Sequence, residues 1–136
     1  MKTDTKTRQI FNLTAPYSNP YQGTATRLLF VCSVGLLRSP TCADVATSMG
    51  YNSRSCGSCI PYALIPLSAN LIYWSEKIIF VNKENYIEAL QRFEEHEDCI
   101  QLLKSKSICW NIEDDYVKDD PWLINIAKEK LSELKF

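Results

Sequence analysis

The stretch from Arg27 to Val45 reads RLLFVCSVGLLRSPTCADV, and the fold of the whole chain is interpreted from it. It begins with an apolar run, Leu28 to Val31, whose length and composition are typical of a strand buried on both faces. Cys32 ends this run, and a short loop leads to Pro40, a residue suited to the first turn of a helix. The stretch therefore predicts a strand, a loop and a helix, with a thiol where the strand ends.

The same alternation continues along the chain, and Gly50 is expected to end the first helix. Further strands are predicted over 52–57, 77–81 and 107–112, and further helices over 67–75, 84–95, 98–104 and 121–134. Strands that alternate with helices indicate an α/β fold, here a three-layer αβα domain with a small four-stranded parallel sheet and right-handed crossovers.

The length of 136 residues, 46% of them hydrophobic, suits one compact domain. Residues 1–26 are polar and interrupted by Pro16, Pro20 and Gly23, so we expect an N-terminal extension that forms a partly ordered arm. The domain itself is predicted to cover residues 27–136.

The charge and the apolar pattern limit the partners and the location. The formal net charge of −1 argues against nucleic acid and anionic membranes as partners. Neither a long apolar segment nor a signal-peptide core is present, so we expect a cytoplasmic protein. As a separate expectation, the protein is a monomer or a weak homodimer. The 6 cysteines are then expected to be free thiols rather than a disulfide framework.

The loop after the first strand has the composition of an anion-binding site. Cys32 is predicted to stand at the carboxyl end of a parallel strand, where ligands of such sheets bind. The loop leads to a helix N-terminus, whose N–H groups and dipole favour a thiolate and an anionic ligand. Arg38 offers a planar fork of donors that matches two phosphoryl oxygens. Ser39 can donate its hydroxyl to the thiolate, and Gly35 permits the positive φ that a tight cradle needs.

We therefore predict a phosphate cradle with a cysteine nucleophile at its floor. In this prediction Cys32 and Arg38 are the catalytic residues. The substrate-binding residues are Ser33, Val34, Gly35, Leu36, Leu37 and Ser39.

At this point the sequence resembles a known family. LLFVCSVGLLRSP is similar to the C-x5-R-S-P phosphate-binding loop of low-molecular-weight protein tyrosine phosphatases. The segments RSCGS, IPLSANLIYWSEKIIFVNKENY and NIEDDYVKDDPWLINIAKEKL resemble the short bacterial and phage-type branch of that family. The resemblance covers roughly residues 27–136. One departure lies inside the loop, because the family usually has asparagine where this chain has Gly35.

The resemblance implies a cysteine-dependent phosphomonoester hydrolase, most closely a protein tyrosine phosphatase, that uses no metal and no cofactor. Its substrate would be a phosphorylated protein or a small phosphomonoester. Cys32 would attack phosphorus, Arg38 and the loop amides would stabilise the equatorial oxygens, and water would hydrolyse the thiophosphoryl-enzyme.

A carboxyl group must protonate the leaving oxygen, and the acidic segment after the last strand supplies the candidates. Asp114 lies just past that strand and resembles the start of the branch's acid loop, so it is favoured, with Asp115 next. The pair Asp120-Pro121 has the family's Asp-Pro pattern, but an N-cap followed by proline explains it as well. Tyr116 would flank an aromatic substrate or pack against the domain.

The other cysteines allow further interpretations. Cys56 and Cys59 have C-x-x-C spacing, which suggests a thioredoxin-like motif or a zinc site. A zinc site is not favoured, because no second pair follows and the one histidine, His96, lies in an acidic stretch that favours a solvated surface position. Arsenate reductases related to the family relay oxidation between cysteines, and Cys42, Cys56 or Cys59 could resolve an oxidised Cys32. A non-catalytic module that binds a phosphorylated ligand or partner is another alternative, since the Gly35 departure and the open choice of acid leave room for it.

Overall fold

The apolar run that ends on Cys32 forms an inner strand of the sheet. The computed structural model describes residues 25–33, 38–59, 63, 65–112 and 120–134. Along the chain its elements are β1 (Arg27–Cys32), α1 (Arg38–Ser48), β2 (Asn52–Gly57), α2 (Ala69–Trp74), β3 (Lys77–Phe80), α3 (Lys83–Arg92), α4 (Glu97–Lys106), β4 (Ser107–Cys109) and α5 (Pro121–Ser132).

All strand pairs in the sheet are parallel, and the strand order is β2-β1-β3-β4. Phe30 of β1 is in register with Ser55 of β2 on one side and with Ile79 of β3 on the other. Parallel strands place all their carboxyl ends at one edge, so the ends of β1, β2 and β3 meet at the same side of the molecule.

Helices cover both faces of the sheet, because side chains on a strand alternate between the faces. Leu29 and Val31 pack on one face with residues of α2, α3 and α4, among them Leu71, Ile72, Trp74, Ala89, Cys99 and Leu103. Leu28, Phe30 and Cys32 pack on the other with α1 and α5, among them Cys42, Val45, Ala46, Leu123, Ala127 and Leu131. The predicted three-layer αβα fold with a four-stranded parallel sheet is confirmed.

Two helix boundaries follow from the residues predicted to form them. Gly50 has a φ of 98°, a left-handed conformation that glycine adopts at low cost, and it stands two residues after Ser48, the last residue of α1. Asp120 is the N-cap of α5, and its Oδ1 accepts a hydrogen bond of 2.9 Å from Trp122 N.

The last strand is shorter than predicted. β4 ends at Cys109 instead of residue 112, because Asn111 has a φ of 56° and interrupts the extended backbone. The chain still follows the sheet, since Trp110 N donates to Phe80 O at 2.9 Å and Ile112 N donates to Val81 O at 2.7 Å. Ile112 therefore lies at the carboxyl edge of the sheet.

The predicted N-terminal extension falls almost entirely on residues 1–24, outside the described residues. Within the described parts of the chain, none of the helices has the length and apolar character needed to cross a membrane.

Candidate active site

The nucleophile candidate stands where the sheet meets the first helix. Cys32 is the last residue of β1 and is 4% exposed. Arg38 is the first residue of α1 and is 5% exposed. The helix N-terminus therefore begins six residues after the thiol, and its positive dipole end favours negative charge there.

Ser39 connects the thiol to the neighbouring strand. Its Oγ lies 3.1 Å from Cys32 Sγ and 3.3 Å from the carbonyl oxygen of Cys56. A hydroxyl has one proton, so the two protonation states of Cys32 use it differently. A neutral thiol can donate to Ser39 Oγ while Ser39 donates to the carbonyl, whereas a thiolate accepts the hydroxyl proton itself. The arrangement accommodates both states without moving the backbone.

Arg38 is tied to the segment that follows β4. Its Nη1 donates a hydrogen bond of 2.7 Å to the carbonyl oxygen of Ile112. Ile112 is the last described residue before the acidic segment 113–119. The contact thus ties the residue that precedes this segment to the guanidinium of Arg38.

Two buried thiols lie beside Cys32 and stay neutral at neutral pH. The pKa of Cys42 is raised to about 12, mainly by burial and also by the charge of Cys32, while the charge of Arg38 opposes the shift. Burial, followed by the charge of Cys32, also raises the pKa of Cys56. Their thiolate forms are disfavoured, so both are poor nucleophiles.

The start of the loop is held by a polar network that the sequence analysis missed. Asn85 Nδ2 donates to Ser33 Oγ at 2.9 Å and to Ser58 Oγ at 3.3 Å, and Ser58 Oγ donates to Glu88 Oε1 at 3.2 Å. Asn85, Ala89 and Phe93 are spaced four residues apart and are all buried, so Asn85 occupies an apolar position of its helix. The signal for Asn85 in the sequence was a polar residue at a helix position where the four-residue spacing predicts an apolar one.

Several predicted site residues lie outside the described residues and stay predictions. These are Val34, Gly35, Leu36 and Leu37 of the loop, and Asp114, Asp115 and Tyr116 of the acidic segment. Asp120 is described, and its carboxylate caps α5, as the N-cap interpretation of the Asp-Pro pair predicts.

The C-x-x-C pair has no features of a metal centre in the described structure. Cys56 is buried at the end of β2 and Cys59 is half-buried. Across the described ranges, no group of three or more His, Cys, Asp and Glu residues is arranged to hold a metal ion. His96 is exposed, as expected, and precedes α4 with its ring 6.1 Å from that of Phe93.

The structure is similar to solved structures that include phosphatases. YwlE, an arginine phosphatase from Geobacillus stearothermophilus, is 18% identical over 78% of this chain and 85% of its own, with a TM-score of 0.57. Wzb from Vibrio vulnificus, solved in complex with benzylphosphonate, is 15% identical over 82% and 100%, with a TM-score of 0.61. SP-PTP, a low-molecular-weight protein tyrosine phosphatase from Streptococcus pyogenes, is 14% identical over 82% and 95%, with a TM-score of 0.57.

No protein-family profile and no curated protein sequence matches this chain. At these identities the structural likeness concerns the fold. The chain has the fold of the low-molecular-weight protein tyrosine phosphatases, in agreement with the resemblance of its loop sequence.

Proposed function

We propose that this protein is a cysteine-dependent phosphomonoester hydrolase that acts on phosphotyrosine in proteins. The observation that carries the proposal is the pairing of Cys32 and Ser39 at 3.1 Å, at the carboxyl edge of the sheet and beside the buried Arg38. A strand end, a helix N-terminus, a hydroxyl donor and a guanidinium converge there, and each favours negative charge on sulfur or on a bound phosphoryl group.

In the first step Cys32 Sγ attacks phosphorus in line, so an S–P bond forms as the P–O bond to the leaving group breaks. Arg38 and the backbone N–H groups of the loop stabilise the equatorial oxygens. Asp114 is proposed to give its proton to the leaving oxygen, because it lies two residues after Ile112, whose carbonyl oxygen accepts a hydrogen bond from Arg38.

In the second step water attacks the thiophosphoryl-enzyme, and Cys32 leaves as a thiolate while inorganic phosphate is released. Asp114, now ionised, accepts a proton from the water. The Ser39 hydroxyl donates to the departing sulfur, which lowers the barrier for its expulsion.

The depth of the thiol supports a substrate with a long side chain. Because Cys32 is 4% exposed, a phosphoryl group has to be carried inward on an arm. Phosphotyrosine provides one. Phosphoarginine is the competing choice, since the YwlE neighbour is an arginine phosphatase.

The deciding experiment is hydrolysis of p-nitrophenyl phosphate by the reduced protein in the presence of EDTA, with Cys32→Ser as the matched variant. Turnover by the wild type and none by Cys32→Ser is expected, and wild-type activity no higher than that of Cys32→Ser would disprove the proposal. Peptides carrying phosphotyrosine, phosphoserine or phosphoarginine then identify the substrate class, and faster release of phosphate from phosphoarginine would overturn the tyrosine assignment.

In the alternative function, an arsenate reductase-like thiol relay, burial disfavours two of the three candidate resolving cysteines. Cys42 and Cys56 are buried and their thiols have raised pKa values, which leaves the half-buried Cys59. Arsenate reduction that depends on added thiol and is abolished by Cys59→Ser would favour this alternative.

Because the proposed hydrolysis needs a reduced Cys32, we place the protein in the cytoplasm.

A further inference from the structure

A single amide side chain links the two chain segments that flank the candidate nucleophile. Asn85, in the first turn of α3, donates through Nδ2 to Ser33 Oγ at 2.9 Å and to Ser58 Oγ at 3.3 Å. Ser33 directly follows Cys32, and Ser58 N donates to the Cys32 carbonyl at 2.8 Å. The amide therefore holds the start of the phosphate loop against the extension of β2.

The backbone of Ser33 is held from the same side. Cys59 N donates a hydrogen bond of 2.8 Å to the Ser33 carbonyl oxygen. With its carbonyl bound to the β2 extension and its hydroxyl bound to α3, Ser33 is fixed at two points. The direction in which the chain leaves Cys32 follows from these two contacts.

Fold stability does not explain the placement of Asn85. Its side chain is 1% exposed and lies on the buried face of α3. Asparagine is a weak helix former, and burying its amide group costs free energy. Within the described parts of the chain, Asn85 Oδ1 has no hydrogen-bond partner. An incompletely satisfied buried amide calls for a reason other than packing.

The loop sequence supplies that reason. From Ser33 to Leu37 it reads SVGLL and contains no amide side chain that could brace the loop from within. We propose that Asn85 is the positioning residue of the phosphate loop, acting through Ser33 to hold the loop backbone in the orientation that binds the transferred phosphoryl group. This inference rests on the proposed phosphatase function and adds a residue to its machinery.

The test compares Asn85→Ala and Asn85→Leu with Asn82→Ala. Asn82 caps the same helix through a hydrogen bond of 3.1 Å from Glu84 N, so its loss weakens α3 without touching Ser33. Asn85→Leu keeps the approximate shape of the side chain and has neither a donor nor an acceptor for Ser33, which keeps the test valid if Asn85→Ala folds poorly.

Both Asn85 variants are expected to lose about 10- to 100-fold in kcat on p-nitrophenyl phosphate, with KM changed much less, because the loop's alignment matters most in the transition state. The phosphate concentration that half-protects Cys32 from iodoacetate is expected to rise several-fold. Asn82→Ala should lower the melting temperature and leave kcat and phosphate protection unchanged. Ser33→Ala should reproduce the Asn85→Ala loss, and the double variant should lose no more than either single one.

Asn85 variants that keep kcat and phosphate protection within twofold of the wild type would overturn the inference. Losses in Asn82→Ala as large as those in Asn85→Ala, or additive losses in the double variant, would do the same. The protection assay needs no turnover, so it separates the two proposals. If the wild type is inactive but phosphate protects its Cys32, and this protection depends on Asn85, the hydrolase proposal alone is refuted. If the wild type is inactive and phosphate does not protect Cys32, both proposals are refuted.

Discussion

Cys32 Sγ and Ser39 Oγ lie 3.1 Å apart, so the last residue of the central strand contacts the second residue of the helix that follows it. The contact is buried, and Ser39 also reaches the Cys56 carbonyl at 3.3 Å. A hydrogen bond to a charged sulfur is worth more than one to a neutral thiol. Ser39 should therefore matter most when Cys32 carries negative charge.

Replacing Ser39 by alanine is expected to slow breakdown of the thiophosphoryl-enzyme. Loss of a hydrogen bond to an ionised group costs about 1.5–3 kcal/mol, which corresponds to about 10- to 100-fold in rate. Rapid-quench kinetics should show a larger burst and a slower steady state. Ser48→Ala is the control, since Ser48 Oγ donates to Val45 O at the far end of the same helix. Equal rates in Ser39→Ala and the wild type would contradict this role.

The acid assignment predicts opposite outcomes for two aspartates. Asp114→Asn should lower kcat for p-nitrophenyl phosphate by about 10²- to 10⁴-fold, because the leaving oxygen loses its proton donor. Asp120→Asn should keep nearly full activity, since asparagine is as good an N-cap as aspartate for α5. A larger loss in Asp120→Asn would transfer the role of acid to the Asp-Pro pair.

Stability is expected to fall at alkaline pH because of the buried thiols. Burial raises the pKa of Cys42 from its ordinary value of 9.0 to about 12. A raised folded-state pKa stabilises the protein fully below the unfolded value, and this contribution is lost as the pH rises from 9.0 toward about 12. The slope is at most about 1.4 kcal/mol per pH unit for each thiol.

Urea unfolding under reducing conditions, from neutral pH to about pH 10.5, measures this loss. Cys42→Ala should show a shallower decline than the wild type. Thr41→Ala, which alters a buried neighbour without an ionisable group, should shift the whole curve and leave its slope unchanged. Parallel curves for Cys42→Ala and the wild type would show that Cys42 does not contribute to the pH dependence.

Lys106 is expected to stabilise the fold without affecting catalysis. Its Nζ donates to the carbonyl oxygens of Ile72 at 2.8 Å and Ser75 at 2.6 Å, so a cation satisfies the C-terminus of α2. Lys106→Met keeps the aliphatic chain and should lower the free energy of unfolding by about 1.5–3 kcal/mol. Lys104→Met, on the exposed side of α4, should cost little. Equal unfolding energies for the two variants would contradict the capping role.

Local sequence patterns were sufficient to predict the features whose physical cause lies in a few adjacent residues. The apolar run of β1, the left-handed Gly50 and the Asp120-Pro121 cap could all be predicted, because burial on both faces, positive φ and capping are properties of a few adjacent residues. The end of β4 was predicted wrongly, because asparagine tolerates a positive φ without requiring it, so Asn111 in SICWNI does not by itself mark the end of a strand.

The parallel α/β architecture could be predicted from the amino-acid sequence alone, as could the placement of Cys32 and Arg38 at one strand end and one helix start. These features follow from hydrophobic patterning and from residues close together in the chain. The contacts of Arg38 with Ile112 and of Asn85 with Ser33 emerge only in the folded chain, because they span 74 and 52 residues. Such contacts depend on which helix packs beside which strand end, and one chain's local pattern does not specify that.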